Sequence, residues 1–344
     1  LKKIYGAFQI AAVYIGTVVG AGFATGKEIV EFFSRFGLIG FFTILISGYL
    51  FIVLGCKLME KAIDLKAKSY EELNDYLFGP VLGKAMSLIM MVMLIGVCGV
   101  MLAGAGAVFE EQLMLTKQMG IFITIALSFI IMMVGTKGLF AVNTFVVPLM
   151  ITFNLIVMSY SITDSQFFVN FMHIPVITDG WNSVVAPFTY TALNLALAQA
   201  VLVPVATEVN DREMVRWGGI IGGFFLTIIL ISSHFTLIGL PNVEMYEIPM
   251  ASVMKTVGAG LYWIYVCIIY GEIFTSVIGN IYGLEKQIKK YIPVHSILIY
   301  LFVLIVSFIL SQIHYGTLLS YLYPLFGYFS LVFFVLLWKK AKVV

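Results

Sequence analysis

Apolar residues in this 344-residue chain arrive in long blocks, many of them about 20 residues or more. That is the length an α-helix needs to cross the hydrocarbon core of a bilayer. A helix that is apolar all round has no face to offer water, so few soluble folds accommodate such blocks. Composition agrees: 61% of residues are hydrophobic and 11% charged, against roughly 25% charged in soluble domains. Disorder, a collagen repeat and a disulfide scaffold are excluded on the same grounds. The chain reads as an all-α, polytopic protein whose first partner is the lipid bilayer. A net charge of +2 gives no reason to expect nucleic acid. Cys56, Cys98 and Cys267 sit inside apolar segments without a CxxC pair, as small hydrophobes do.

Polar punctuation divides the sequence into ten transmembrane helices, at 4–37, 38–62, 81–110, 119–136, 139–163, 184–208, 213–240, 257–284, 294–313 and 316–338. The stretch 63–80 is expected to form a short surface helix. With the N-terminus cytoplasmic, 16 of the 20 Lys and Arg residues fall in cytoplasmic loops, leaving Lys27, Arg35, Lys117 and Lys255 on the other side. The positive-inside rule then predicts both termini in the cytoplasm. Ten spans divide as five plus five: a first repeat over 1–163, an extracellular connector at 164–183 that folds back over the bundle, and a second repeat over 184–344. An odd number of spans per half forces opposite orientations, the condition for the inverted-topology repeat of secondary transporters.

That plan predicts a discontinuous first helix in each half. Span one carries Gly16, Gly20, Gly22 and Gly26, followed at once by Lys27, Glu28 and Glu31. Each glycine weakens a helix interior by about 1 kcal/mol relative to alanine. Charge at membrane depth is costly unless it meets water or a partner. A helix unwound at Gly20–Gly26 accommodates both features, with Lys27 and Glu28 facing an outer vestibule. Close helix packing through Gly16 and Gly20 is the competing reading. Span six is bracketed by Pro187 and Pro204, with Asn194 and Gln199 between them, and is expected to break as well. Two packed amides in an intact helix are the alternative.

Half-helix ends present N–H groups on one side and C=O groups on the other, which suits a zwitterion such as an amino acid. A cation also needs oxygen ligands from a neighbour. Glu272, Thr275 and Ser276 in span eight share one helical face and supply them, as hard oxygens suit Na⁺. Thr275 and Ser276 bonding their own helix is the ordinary alternative.

The segments GTVVGAGFATGKE in span one and GEIFTS in span eight, with the ten-span layout, resemble the LeuT-fold amino acid–polyamine–cation superfamily, specifically the YkvI-type amino-acid permeases of bacteria. The resemblance implies a LeuT-like five-plus-five inverted repeat with discontinuous helices 1 and 6, in the bacterial cytoplasmic membrane. It implies Na⁺ ligands at the Gly16 and Val19 carbonyls, Glu272, Thr275 and Ser276. It places a substrate carboxylate at Gly20, Ala21 and Gly22, and a pocket lining at Leu193, Asn194, Ala196, Leu197, Ala198 and Gln199. Glu272 departs from the pattern, standing where sodium-coupled relatives have a small residue. Proton-coupled relatives carry a lysine on helix five, and span five has none.

Other features are open to two readings. Gly96, Gly99, Gly104 and Gly106 in span three leave room for a substrate side chain or serve as packing notches. Glu110 and Glu111 are expected in outer water, Glu208 at the cytoplasmic exit with Asn210 and Asp211. His234 reads as a hydrogen-bonded interior histidine or a proton carrier. No Ser/His, paired-Asp or HExxH arrangement points to an enzyme, and no obligate protein partner is indicated. The leading expectation is Na⁺-coupled uptake of a small amino acid or related zwitterion by alternating access. H⁺ coupling through Glu272, and a ligand sensor that moves nothing, are the alternatives.

Overall fold

A computed structural model describes residues 2–173, 180–246, 248–257, 259–313 and 315–340. Among these residues all regular structure is helical: α1 (Lys2–Val18), α2 (Ala21–Ala24), α3 (Lys27–Phe32), α4 (Leu38–Leu65), α5 (Tyr70–Phe78), α6 (Pro80–Gln112), α7 (Lys117–Val134), α8 (Thr136–Ile162), α9 (Phe167–Met172), α10 (Gly180–Val209), α11 (Arg212–Leu237), α12 (Pro249–Val257), α13 (Ala259–Tyr291), α14 (Ser296–Leu310) and α15 (Tyr315–Lys340). Short 3₁₀ turns follow α3 and α11.

Seven of these helices are long and apolar enough to cross a membrane: α4, α6, α7, α8, α10, α11 and α13. The first span is divided among α1, α2 and α3, and α14 is only 15 residues long. Large apolar side chains such as Phe42, Val92, Phe145 and Ile305 point outward around the bundle. With no water-soluble face to pack on, they meet lipid tails. Cys56 and Cys98 are buried as expected, whereas Cys267 is exposed on the outer surface of α13.

The first span breaks where its glycines cluster. Gly26 adopts φ 82°, a left-handed conformation that a side chain resists, and α3 starts immediately after it. The sixth span does not break, which corrects the expectation of a discontinuous helix 6. α10 runs unbroken through Pro187 and Pro204. No glycine lies between Trp181 and Val209, so nothing lowers the cost of leaving the helical conformation. The Pro187 carbonyl takes a hydrogen bond from the Ser47 hydroxyl at 3.3 Å, the kind of side-chain support that lets a membrane helix carry proline.

The surface helix expected in 63–80 is α5, which starts at a capping box between Ser69 and Glu72. In the 164–183 segment, α9 folds back over the bundle: Phe167 is buried, and Phe171 packs on Phe41 and Phe235. Residues 174–179 of that connector lie outside the described residues, and α10 begins at Gly180, inside its expected range.

Candidate functional site

A broken helix leaves backbone carbonyls without partners in the middle of an apolar bundle, and each has to be satisfied. The side chains that do so define the site. Ser276 Oγ of α13 donates to the Val19 carbonyl at 2.7 Å. Thr275 Oγ1 lies 2.8 Å from the carbonyl of Glu272 and 3.4 Å from that of Gly16. Further along, the Thr25 hydroxyl donates to the Gly22 carbonyl at 3.2 Å, and the Tyr265 hydroxyl to Ala24 at 3.2 Å. The Met250 N–H donates to Thr25 at 3.0 Å. Three of the five donors, Ser276, Thr275 and Tyr265, come from α13 and tie it to the broken first span.

Gly16, Val19, Thr275 and Ser276 therefore meet at one junction, and Ser276 bonds across helices instead of along its own. Glu272 joins the junction through its backbone carbonyl. Its side chain is buried, yet among the described residues the carboxyl makes no hydrogen bond or ion pair. The two glycines are not equivalent packing notches. A Cβ on Gly16 would sit 1.8 Å from Asn143 Oδ1 of α8, whereas one on Gly20 would meet Met101 at 2.8 Å and the Ser276 hydroxyl at 3.3 Å.

Asn143 is absent from the sequence-derived site. It is buried, its Oδ1 has no partner among the described residues, and it is wedged against Gly16. An isolated amide in an apolar span was the available signal, but span five draws attention for its missing lysine.

The six expected lining residues of α10 are all buried, but they do not share a face. At about 100° per residue, a continuous helix turns nearly consecutive side chains in all directions. Gln199 reaches the Met90 sulfur on α6, with its own Oε1 unpartnered. Asn194 points to α3, donating 3.0 Å to the Tyr190 carbonyl and 3.4 Å to Glu28 Oε1. The unbroken α10 thus corrects a pocket drawn from all of Leu193, Asn194, Ala196, Leu197, Ala198 and Gln199. Glu28 corrects a second expectation, because it is buried and does not face a vestibule. Lys27 donates to the Tyr246 carbonyl at 3.0 Å.

Two cavities flank this closed centre. At the end opposite the α1 N-terminus, a cavity of about 210 Å³ is lined by Glu31, Phe32, Arg35, Thr189 and neighbours. At the other end, one of about 580 Å³ is lined by Lys68, Glu72, Thr207, Glu208, Lys286 and neighbours. Glu208 closes its rim, accepting from Thr136 at 3.2 Å and Tyr282 at 3.4 Å. Glu110 and Glu111 are exposed. His234 is an interior histidine, with Nδ1 3.1 Å from the Ser34 hydroxyl. Gly99 and Gly106 act as packing notches against Leu310 and Lys117. Among the described residues no three His, Cys, Asp or Glu side chains converge as metal ligands.

Comparison with known proteins fits this geometry. A family model described as spore germination protein matches residues 6–322. The uncharacterized membrane protein YkvI of Bacillus subtilis (strain 168) is 51% identical over 338 residues, 97% of this chain and 96% of that protein. YyaD of the same organism is 22% identical over 325 residues, 94% of this chain and 93% of the relative. Among solved structures, a Na⁺-coupled sialic acid symporter in its substrate-bound outward-open state superposes with a TM-score of 0.68 at 13% identity, covering 94% of this chain and 75% of that one. The Eremococcus coleocola manganese transporter gives 0.63 at 12% identity, covering 96% and 74%. Both are LeuT-fold transporters, and at such identity the likeness is one of fold.

Proposed function

The chain belongs to the spore germination protein family, and on that premise we propose that it is a secondary active transporter coupling a Na⁺ gradient to uptake of a small amino acid or related zwitterion. The observation that carries this reading is the junction at which Ser276 and Thr275 hold the Val19 and Gly16 carbonyls. Two carbonyls and two hydroxyls at one junction, with the buried Glu272 one turn back on α13, make a hard-oxygen cluster suited to Na⁺. The Glu272 carboxyl, lacking another partner, swings onto the ion. The Thr275 and Ser276 hydroxyls then turn their O–H groups away from the carbonyls and offer lone pairs to the ion, and α1 stays clasped to α13 while Na⁺ is bound.

The substrate carboxylate sits on the backbone N–H groups of Gly20, Ala21 and Gly22, with Asn194 and Leu197 from α10 beside it. The ten-span count takes α1–α3, α14 and α15 as the three spans beyond the seven long helices. The inverted repeat is supported by packing of α4 on α11 and of α6 on α13, second span on seventh and third on eighth. The cavity beside Arg35 is the outer one, and the lysine-lined cavity is cytoplasmic, as are both termini in the bacterial cytoplasmic membrane.

Alternating access follows if release of Na⁺ frees the α1 half-helix to move. The coupling is reciprocal, so Na⁺ and substrate raise each other's affinity by the same factor. A thermal-shift screen of amino acids with Na⁺ or with choline tests it. At least one amino acid raises Tm in Na⁺ only, because a ligand that binds the native state alone stabilises it. Equal shifts in both salts count against Na⁺. One observation favours a second reading, H⁺ in place of Na⁺: the Glu272 side chain is buried, and among the described residues its carboxyl makes no hydrogen bond or ion pair. Uptake driven by a pH gradient and lost in Glu272→Gln is its signature.

A further inference from the structure

Glu28 is a second buried carboxyl, and its surroundings differ from those of Glu272. It sits on α3 just past the Gly26 turn and is 3% exposed. Among the described residues no Lys, Arg or His nitrogen lies within 4.0 Å of it. Its one hydrogen bond is the long, 3.4 Å contact from Asn194 Nδ2. Beside it stands the fully buried Tyr190 hydroxyl, near enough to interact with the carboxyl but without the geometry of a formed hydrogen bond. A carboxylate stripped of water and of any cation is too costly to persist as such. It has to be neutralised by something that enters the site.

The neighbours decide what that is. A metal ion or an ammonium group needs several oxygen acceptors around it. Glu28 instead faces an amide N–H₂ group, which only donates. Tyr190 can donate to an ionised carboxylate or accept from a protonated one, so it serves both states of the carboxyl. We propose that Glu28, Asn194 and Tyr190 form a proton-binding site, separate from the α1–α13 junction and reached from the Arg35 cavity. The proposal rests on the transporter reading, in which this proton is a second coupled ion.

The route is short. Phe32 lines the 210 Å³ cavity and packs on Tyr190 with ring centroids 5.2 Å apart, so this aromatic pair is the partition between solvent and Glu28. Other titratable groups near the site are already engaged. On the same segment Glu31 pairs with Arg35 at 3.1 Å, and Lys27 bonds the Tyr246 carbonyl. On α11 His234 is held by Ser34, and on α13 Tyr265 bonds the Ala24 carbonyl. On α15 the Tyr315 hydroxyl lies 3.3 Å from Thr25, and Tyr323 is buried near Glu28. Because Asn194 belongs to the substrate-lining helix, protonation of Glu28 alters the hydrogen bonding of a substrate contact, which is the coupling a symporter requires.

The test is infrared difference spectroscopy of the purified full-length protein in nanodiscs during a pH titration, with the proton itself as the probe. The carbonyl stretch of a protonated carboxyl appears in wild type and in Glu272→Gln, and one such band disappears in Glu28→Gln. Tyr190→Phe shifts that band, and Phe32→Ala speeds its exchange in D₂O at least severalfold. A spectrum that Glu28→Gln leaves unchanged at every pH overturns the proposal, since Glu28 is then ionised throughout. Should Glu28→Gln not fold, an unshifted band in Tyr190→Phe does the same. Neither result touches the Na⁺-dependent thermal shift, so failure here is distinguishable from failure of the transporter reading.

Discussion

The first span and α10 start from similar sequence signals and reach opposite structures. Both carry helix-weakening residues and polar groups at membrane depth, yet only the first unwinds. The difference is what receives the freed backbone. At the first span Thr275, Ser276, Thr25 and Tyr265 hydroxyls and the Met250 N–H are in place to bond the loosened carbonyls. Around α10 the polar side chains bond elsewhere: Asn194 to its own helix and to Glu28, Gln199 to Met90. Proline alone removes one N–H and tolerates a neighbour's hydroxyl as compensation. Glycine lowers the conformational cost, and partners repay the lost hydrogen bonds. A break needs both, and α10, with the Ser47 hydroxyl on its Pro187 carbonyl but no glycine, lacks the first.

Removing the partners is the strongest way to test that contrast. Ser276→Ala leaves the Val19 carbonyl buried and unbonded, at a cost of about 1–3 kcal/mol. The measured effect is a roughly tenfold or greater loss of apparent Na⁺ affinity in the thermal-shift titration. Thr275→Val, which removes a longer bond, has a smaller effect in the same direction. If both variants keep wild-type Na⁺ dependence, the junction is structural only.

Filling the notch comes next. Gly16→Ala drives a methyl into Asn143 Oδ1, and overpacking of this kind costs about 1–3 kcal/mol. Tm falls, and Asn143→Ala in the same chain recovers part of the loss by making room. A similar fall is expected for Gly283→Ala, whose new Cβ would stand 2.6 Å from the Ala200 Cβ on α10. That variant probes whether α10 and α13 pack as two continuous helices. By contrast, Pro204→Ala restores a backbone N–H in a helix that is already unbroken, so Tm does not fall. A marked loss of stability there would revive a break in α10.

The smallest effect lies at the end of the bundle that holds the lysine-lined cavity. Burial pushes the Glu72 carboxyl up, but the Ser69 hydroxyl, a backbone N–H and the Lys290 ammonium together hold it below the usual carboxylate range. Its contribution is present above the ordinary pKa and is lost as pH falls through the lowered one. Glu72→Gln therefore destabilises at neutral pH by no more than about 1 kcal/mol, and the difference from wild type vanishes in acid. Urea unfolding of the two proteins at neutral and acidic pH measures it.

Much of this was readable from residues alone. The glycine cluster with charges behind it located the break, because intrinsic helix cost is local. The i, i+3/i+4 spacing of Glu272, Thr275 and Ser276 placed them on one face for the same reason. Asn143 and Tyr190 were not readable as site residues, since an amide or a phenol in an apolar span acquires a role only from what faces it. Glu28 was visible as an anomaly, but its direction was not: a vestibule and a buried cluster are both compatible with a charge after Gly26.

By itself the sequence determined that the chain lives in a bilayer as helices and where its backbone gives way, since transfer cost and helix propensity are properties of short segments. The tertiary structure decided the rest. Only packing shows that hydroxyls from α13 wait for the carbonyls of Gly16 and Val19, that the Asn194 and Gln199 amides of α10 bond elsewhere, and that two buried carboxyls keep different company. Among the described residues one makes no hydrogen bond or ion pair, and the other has the Asn194 amide and the Tyr190 phenol beside it; that arrangement is a relation between distant residues that no local pattern encodes.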